Sequence, residues 1–195
     1  VDYYKQALDQ LAKTQEQIAR GAEHTRVTNQ APQLLEGTRE KLSAPPASPD
    51  VSAPESATVA QIEQLRAGAE AELTTLRELV EKLRAESTRR AERQSLVSEQ
   101  IARAGHALDA ISDELKAPPS ETEAPEVSTA RLVQAKARRS ALRVEVATLE
   151  KELASYEARR ELLPARIDWA LRRESVAVKA VAAWQSLAAE RRRVE

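Results

Sequence analysis

The chain has 195 residues, and its 30 lysine and arginine residues almost balance its 31 aspartate and glutamate residues. This balance provides no net field that would attract a polyanion, so nucleic acid is not an expected partner. Aromatic residues make up 3% of the chain and cysteine is absent, which excludes disulfides and cysteine-bound metals and argues against a deep catalytic pocket. The high proportion of charged residues, 31%, is typical of long helices and coiled coils.

The first predicted helical block spans residues 1–43. Its apolar residues recur at alternating steps of three and four, which indicates a heptad-like seam. Thr25, Asn29 and Pro32 then interrupt the seam. Because proline removes a helical hydrogen-bond donor, we predict a kink near Pro32. The seam residues of this block are Tyr4, Leu8, Leu11, Ile18 and Ala22.

Two proline-rich stretches, "SAPPASPDVSAPES" and "APPSETEAPEVS", interrupt the helical pattern. Proline lacks the backbone donor and pushes the preceding residue out of the α region, so these stretches predict loops at residues 44–56 and 117–128. Polar side chains at their ends are candidate N-caps for the helices that follow. We expect Ser56 or Thr58 to cap the second block, and Ser128 to cap the third.

The second block spans residues 57–116 and contains two runs of seam residues. Leu83 ends the first run and Val97 begins the second, two whole heptads later. Because the phase is kept, the pattern favours one long helix. A turn near Ser87–Gln94 remains the alternative. The two runs are Ile62, Leu65, Ala69, Leu73, Leu76, Val80, Leu83 and Val97, Ile101, Ala104, Leu108, Ile111, Leu115.

The third block spans residues 129–195 and carries the same pattern, with Pro164 in its middle. An internal match aligns residues 76–83 with residues 142–149 at an offset of 66 residues. Two copies of one helical unit are the simplest interpretation, and a chance match between two heptad sequences rich in leucine and alanine is the alternative. At this offset Pro164 lies opposite Ser98. We predict that the third helix is kinked at Pro164, where a backbone hydrogen bond is lost.

The sequence contains no recognisable set of reactive side chains. His24 and His106 are the only histidines, and neither has a glutamate three residues before it, as a carboxylate metal site in a helical bundle requires. Paired carboxylates such as Glu150 and Glu152 lie in an alternating charge pattern expected of a solvated helix face. We therefore predict no catalytic, cofactor-binding or metal-binding residue, and no enzyme.

Three further features have a structural and a functional interpretation. Arg191–Arg193 is expected to compensate a helix C-terminus, and contact with lipid headgroups or an acidic partner is the alternative. Trp169 and Trp184 are expected in the core, and a membrane-interface or protein-docking anchor is the alternative. The glycines are expected to mark close helix contacts rather than function: Gly21, Gly37, Gly68 and Gly105.

The stretch "YEARRELLPARIDWALRRESVAVKAVAAWQSLAAERRR", together with "RRAERQSLVSEQIARAGHALDAISDEL" and "YYKQALDQLAK", resembles the N-terminal periplasmic region of large MscS-like mechanosensitive channels, the MscS porin domain. The element from Arg159 through Pro164 to Ile167 matches the family's pattern of two arginines, a proline and an isoleucine. The chain departs from that pattern at Ser98, where proline would be expected.

The resemblance implies a periplasmic extension of a bacterial inner-membrane channel whose pore lies beyond Glu195. It also implies a homo-oligomer that opens under membrane tension and releases solutes during hypo-osmotic shock, possessing no catalytic residue in this region. No apolar run approaches the ~20 residues of a membrane-spanning helix. Val1 is not an initiator methionine, so we expect a fragment or a processed chain, attached to the membrane through segments outside it.

The predicted fold is all-α: an elongated, antiparallel, coiled-coil-like bundle of about three long, kinked helices. Contact with another cell-envelope protein or with peptidoglycan is a further expectation. A soluble coiled-coil adaptor or scaffold without a channel shares these sequence features. A signal peptide and hydrophobic spans in the complete gene would favour the channel, and their absence would favour the adaptor.

Overall fold

A computed structural model describes residues 2–118 and 124–194 of the chain. The described residues form four α-helices and contain no strand, so the predicted all-α class is confirmed. The third predicted block contains two of these helices, which makes four rather than about three. The helices are α1 (Asp2–Ser43), α2 (Val59–Lys116), α3 (Pro125–Ala158) and α4 (Leu162–Val194).

The break between α3 and α4 explains how the chain accommodates Pro164. At Arg159 the backbone leaves the helical region, with φ −99° and ψ 9°, and its N–H donates to the carbonyl of Tyr156. Helix α4 begins at Leu162, so Pro164 lies in its first turn. Amides in a first turn have no partner within the helix, and a missing N–H costs nothing there. The predicted kink at Pro164 is therefore replaced by a helix end before it.

The other two predicted interruptions do not end a helix. Helix α1 continues through Pro32, and α2 continues through the polar interval between Ser87 and Ser98. The preference for one long second helix is thereby confirmed.

The helix starts are explained by local side chains. The Thr58 N–H donates to Gln61 Oε1 at 2.9 Å, and the Gln61 N–H donates to Thr58 Oγ1 at 3.3 Å. This reciprocal capping box confirms Thr58 as the cap of α2. Helix α3 begins at Pro125 with Ala124 as its N-cap, so the prediction of Ser128 was wrong, because proline is favoured at the first helical position. Part of the second predicted loop, residues 119–123, lies outside the described residues.

The chain divides into two compact units. Unit 1 comprises Val1–Ala31 and Arg90–Arg159, and unit 2 comprises Pro32–Arg89 and Arg160–Glu195. Helices α1 and α2 contribute to both units, whereas α3 lies entirely in unit 1 and α4 entirely in unit 2. Each unit is thus built from three helical segments.

The core of unit 2 lies between α2 and α4, which run antiparallel. Near the start of α2, Ile62 packs with Trp184 and Ala188 late in α4. Further along α2, residues contact progressively earlier parts of α4. The predicted α2 seam therefore provides this core, as three clusters show: Ala57, Ile62, Trp184, Ala188; Leu73, Leu76, Ala177; and Val80, Leu83, Leu163, Ala170.

In unit 1 the second half of α2 runs antiparallel to α3. Arg93 pairs with Glu152, whereas Leu115, near the end of α2, shares a small cavity with Leu132, near the start of α3. Because many of the buried residues are alanines, this core is narrow. Its buried apolar side chains are Ala7, Ala31 on α1 and Val97, Ala104, Ile111, Ala130, Ala135, Ala141, Leu149 on α2 and α3.

Only one of the four glycines marks a close helix contact. A Cβ atom added at Gly21 would lie 3.2 Å from Thr148 Oγ1. The Thr148 hydroxyl donates to the carbonyl of Gln17 at 3.0 Å, which holds α3 against α1 at this point. The predicted close-contact role is confirmed at Gly21. It is wrong at Gly37, Gly68 and Gly105, where an added Cβ meets nothing within 4 Å.

We predict unequal gains in stability from two glycine-to-alanine changes in unit 1. Gly105→Ala should raise the free energy of unfolding by about 0.5–1 kcal/mol, because alanine is the better helix former and the site is open. Gly21→Ala should gain less, since Thr148 must move, and Gly21→Leu should lose about 1–3 kcal/mol through overpacking. Urea unfolding followed by circular dichroism measures all three, and an equal gain for both alanine variants would contradict the close contact.

Candidate functional site

Two kinds of functional feature, a metal-binding cluster and a membrane-spanning helix, are absent from the part of the chain that the structure describes. Within residues 2–118 and 124–194, no three carboxylate or imidazole groups are placed to hold a metal ion. In the same residues, no helix combines the length and apolarity that crossing a bilayer requires. Helix packing forms the buried polar contacts and the exposed apolar surfaces of the two units.

Among residues 2–118 and 124–194, the most buried charged group lies in unit 1. Glu152 is 7% exposed, and Arg93 donates to both of its carboxylate oxygens, at 2.8 and 2.9 Å. The Tyr156 hydroxyl donates to Glu152 Oε1 at 2.9 Å. A planar guanidinium matched to a carboxylate in this two-bond geometry gives both strength and orientation. We call Arg93, Glu152 and Tyr156 the unit 1 polar triad.

The burial of Glu152 corrects a prediction made from the charge pattern. Glu150 is exposed as expected, but Glu152 faces α2. Two residues along a helix are separated by about 200° around its axis, so neighbouring carboxylates in one charged run can occupy opposite faces. The sequence signal that could have indicated a buried polar pair here is the polar interval of the α2 seam between Leu83 and Val97, because Arg93 lies next to one of its seam positions, Gln94.

The triad perturbs the pKa values of its members. Burial acts to raise the pKa of the Glu152 carboxyl, but the hydrogen bonds from Arg93 and Tyr156 outweigh it, and the pKa lies below its usual value. Burial, together with the hydrogen bond to the Glu152 carboxylate, raises the pKa of the Tyr156 hydroxyl. The carboxylate is therefore held in its charged form.

The end of α3 is closed by an arginine next to the triad. Arg159 Nε donates to the carbonyl of Ser155 at 2.9 Å, and its guanidinium lies 5.6 Å from the centre of the Tyr156 ring. The first contact satisfies a carbonyl that a helix C-terminus leaves without a partner, and the second is a cation–π interaction. Arg159, the first arginine of the Arg159–Arg160 pair, is therefore the C-cap of α3.

Helix α1 presents two different stripes in unit 1. The stripe that faces the unit consists of small residues one heptad apart: Ala7, Thr14 and Gly21. The predicted apolar seam lies on the adjacent stripe and remains exposed, so its expected burial against the bundle was wrong for this helix. We call this the α1 seam; its large members are Tyr4, Leu8, Leu11 and Ile18.

In unit 2 the proline-rich loop of residues 44–56, which we call the strap, is tied to α4 at both ends. Arg172 donates to the carbonyls of Leu42 and Ala44, where the strap leaves α1. Arg191 Nη1 donates to the carbonyl of Glu55 at 2.7 Å, where the strap approaches α2. Two arginines on one helix therefore fix the path of a loop that has few backbone donors of its own.

Two arginines of the run at the end of α4 have different partners in the structure. Arg191 holds the strap and Arg192 pairs with Glu63 on α2. Trp184 is buried in the nearby core cluster, which confirms its core prediction, and Trp169 is half-buried.

The chain is similar to a known family of protein domains. The family model for the mechanosensitive ion channel porin domain matches residues 1–195. The chain belongs to this family. No curated protein and no solved structure shows significant similarity to it.

As a porin domain, the chain is part of an MscS-like mechanosensitive channel, which confirms the family suggested by its sequence motifs. The family is defined by an ion-channel domain and is not a class of enzymes. The structure shows three features of this porin domain: the polar triad, the exposed α1 seam and the strap that is held to α4.

We predict that the polar triad makes the porin domain sensitive to acid. Because the folded-state pKa of Glu152 lies below its unfolded value of about 4.3, its stabilisation is present at neutral pH and is lost as pH falls through the folded-state pKa. Glu152→Gln should cost about 2 kcal/mol at pH 7, and this difference should shrink in acid.

Chemical denaturation at pH 7 and at pH 3 to 4 measures the effect of Glu152→Gln. The matched control is Glu150→Gln, two residues away on the exposed face, which should stay within about 0.5 kcal/mol of wild type. A cost for Glu152→Gln that does not depend on pH would contradict the assignment of the acid sensitivity to this carboxylate.

Proposed function

We propose that this porin domain lies in the periplasm and forms the extracytoplasmic part of a bacterial inner-membrane channel that opens under membrane tension. Family membership over residues 1–195 supports this proposal and favours the channel over a soluble adaptor. Osmotic protection follows from such a channel, because its opening releases solutes. In this proposal the domain acts through helix contacts and performs no catalysis.

The single observation that carries the interaction role is the exposed α1 seam. Leu8, Leu11 and Ile18 are each at least half exposed in unit 1, although they lie at the spacing that packs helices side by side. A seam of this pattern is stabilised when a second helix covers it. Gln15, at the next seam position after Leu11, supplies a polar group of the kind that fixes pairing register.

We assign the covering helix to another copy of the domain. Channels of this family are homo-oligomers, so their porin domains are held close together and a weak contact between them is favoured by a high effective concentration. Another cell-envelope protein, or peptidoglycan, is the alternative partner. The two are separated by whether the purified chain associates with itself.

We predict that Leu11→Lys weakens self-association of the porin domain by about tenfold or more, since it removes one apolar side chain from the contact and adds a charge. The matched control is Leu96→Lys on α2. Leu96 and Leu11 are both 50% exposed and both lie in unit 1, but Leu96 is not on the α1 seam. Sedimentation over a range of concentrations measures the association.

Two results would contradict the assignment to a second copy. One is equal weakening by Leu11→Lys and Leu96→Lys, which would indicate a general effect of surface charge. The other is a wild-type chain that stays monomeric at the highest concentration, which would favour a different envelope partner. Unfolding of both variants should match wild type, because the two side chains are exposed.

The proposed location has its own test. In the intact channel, alkaline phosphatase joined to the end of α4 should be active, because this enzyme needs export from the cytoplasm to form its disulfides. Green fluorescent protein at the same position is the complementary reporter of a cytoplasmic location. A fluorescent fusion with inactive phosphatase would contradict a periplasmic domain.

A further inference from the structure

A cavity of about 630 Å³ lies in unit 2 between α2, α4 and the strap. Its volume falls within the range of roughly 300–1,000 Å³ that is usual for small-molecule sites. Apolar side chains form most of its wall: Leu65 and Ala69 on α2, Val176 and Ala180 on α4, and Pro45 and Pro49 on the strap. Both tryptophans of the chain also line it.

The strap wall of the cavity is held in place by hydrogen bonds. The contacts of Arg172 with the carbonyls of Leu42 and Ala44 fix one end, and the contact of Arg191 with Glu55 fixes the other. Proline residues further restrict the backbone between these points. The cavity is thus bounded by two helices and an anchored loop.

The lining of the cavity carries an excess of positive charge. Lys41, Arg172 and Arg173 line it, against the two carboxylates of Asp50 and Glu72. Arg173 is paired with Glu72 at 3.5 Å. Arg172 donates to main-chain carbonyls, which leave its positive charge uncompensated.

We propose that this cavity binds an amphipathic anion, with an acyl chain against the tryptophans and alanines and a carboxylate or phosphate near Lys41 and Arg172. The apolar wall provides the burial of the acyl chain, and the positive charges of Lys41 and Arg172 provide the attraction for the headgroup. A free fatty acid and a membrane lipid share this chemistry. The proposal concerns unit 2 alone and does not depend on channel function or on self-association.

Intrinsic fluorescence can test the proposal, because Trp169 and Trp184 are the only tryptophans and both line the cavity. Titration of the chain with laurate, below the concentration at which laurate forms micelles, should give a saturable change in tryptophan emission. Ala180→Phe fills the cavity and should weaken laurate binding about tenfold or more, as expected when an apolar chain loses its site. Circular dichroism verifies that helicity is unchanged.

The matched control for the filled cavity is Ala182→Phe, the same change at an exposed position of α4 that does not line the cavity. It should bind laurate as wild type does. Equal binding by wild type and Ala180→Phe, or no saturable response to laurate in the wild type, would overturn the proposal.

A second pair of variants tests the headgroup site and does not alter the apolar wall. Lys41→Glu should weaken laurate binding about three- to fivefold, the effect expected of one exposed charge. Lys82→Glu is the control, because Lys82 is an exposed residue of α2 that does not line the cavity, and it should bind laurate as wild type does. Arg172 is left unchanged because it anchors the strap. Monolaurin, the uncharged glycerol ester, should bind more weakly than laurate, and equal binding of the two would overturn the anionic assignment.

Vesicles separate the two sources of the ligand. If phosphatidylglycerol vesicles change the tryptophan emission and Ala180→Phe abolishes the change, the acyl chain comes from a membrane lipid. If laurate alone gives the Ala180-dependent change, the ligand is a free fatty acid. A response to vesicles that Ala180→Phe leaves intact, without binding of laurate, would show a surface contact and overturn the cavity site.

Discussion

Burial of the apolar stripe of α2 is the interaction on which both compact units depend. In unit 2, Ile62, Leu76 and Leu83 pack against α4, and in unit 1 Val97 and Ile111 on the same helix are buried. Each such side chain contributes roughly 1.5–3 kcal/mol when it leaves water. Long helices in proteins owe most of their stability to packing of this kind rather than to helix propensity, so the other helices are placed by what α2 presents to them.

The small residues of α1 determine which of its faces is available. Thr14 and Gly21 allow α1 to approach α3 closely, and the hydroxyl of Thr148 completes that contact by donating to the carbonyl of Gln17. Because this close contact fixes the rotation of α1 about its axis, the leucines of the adjacent stripe stay exposed. The proposed association of porin domains is therefore a consequence of how α1 packs within its own unit.

Arginine side chains connect the parts of each unit that apolar packing does not reach. Arg93 holds the buried carboxylate of Glu152, and Arg172 and Arg191 hold the strap to α4. The same planar, multi-donor group serves both purposes, since it can satisfy a carboxylate or two carbonyls at once. In unit 2 this use of arginine leaves positive charge beside an apolar cavity, which is the basis of the proposed anion site.

The sequence by itself determined the helical class and the porin domain family; it favoured a continuous α2 and restricted the cap of that helix to Ser56 or Thr58. These features depend on periodicity and on local capping and proline chemistry, which a linear sequence displays directly. Only the tertiary structure decided that α3 ends before Pro164, that Glu152 is buried while Glu150 is exposed, and that the α1 seam stays open. Each of these outcomes depends on which side chains from distant parts of the chain meet, and heptad patterns do not specify that when neighbouring stripes of one helix can both pack.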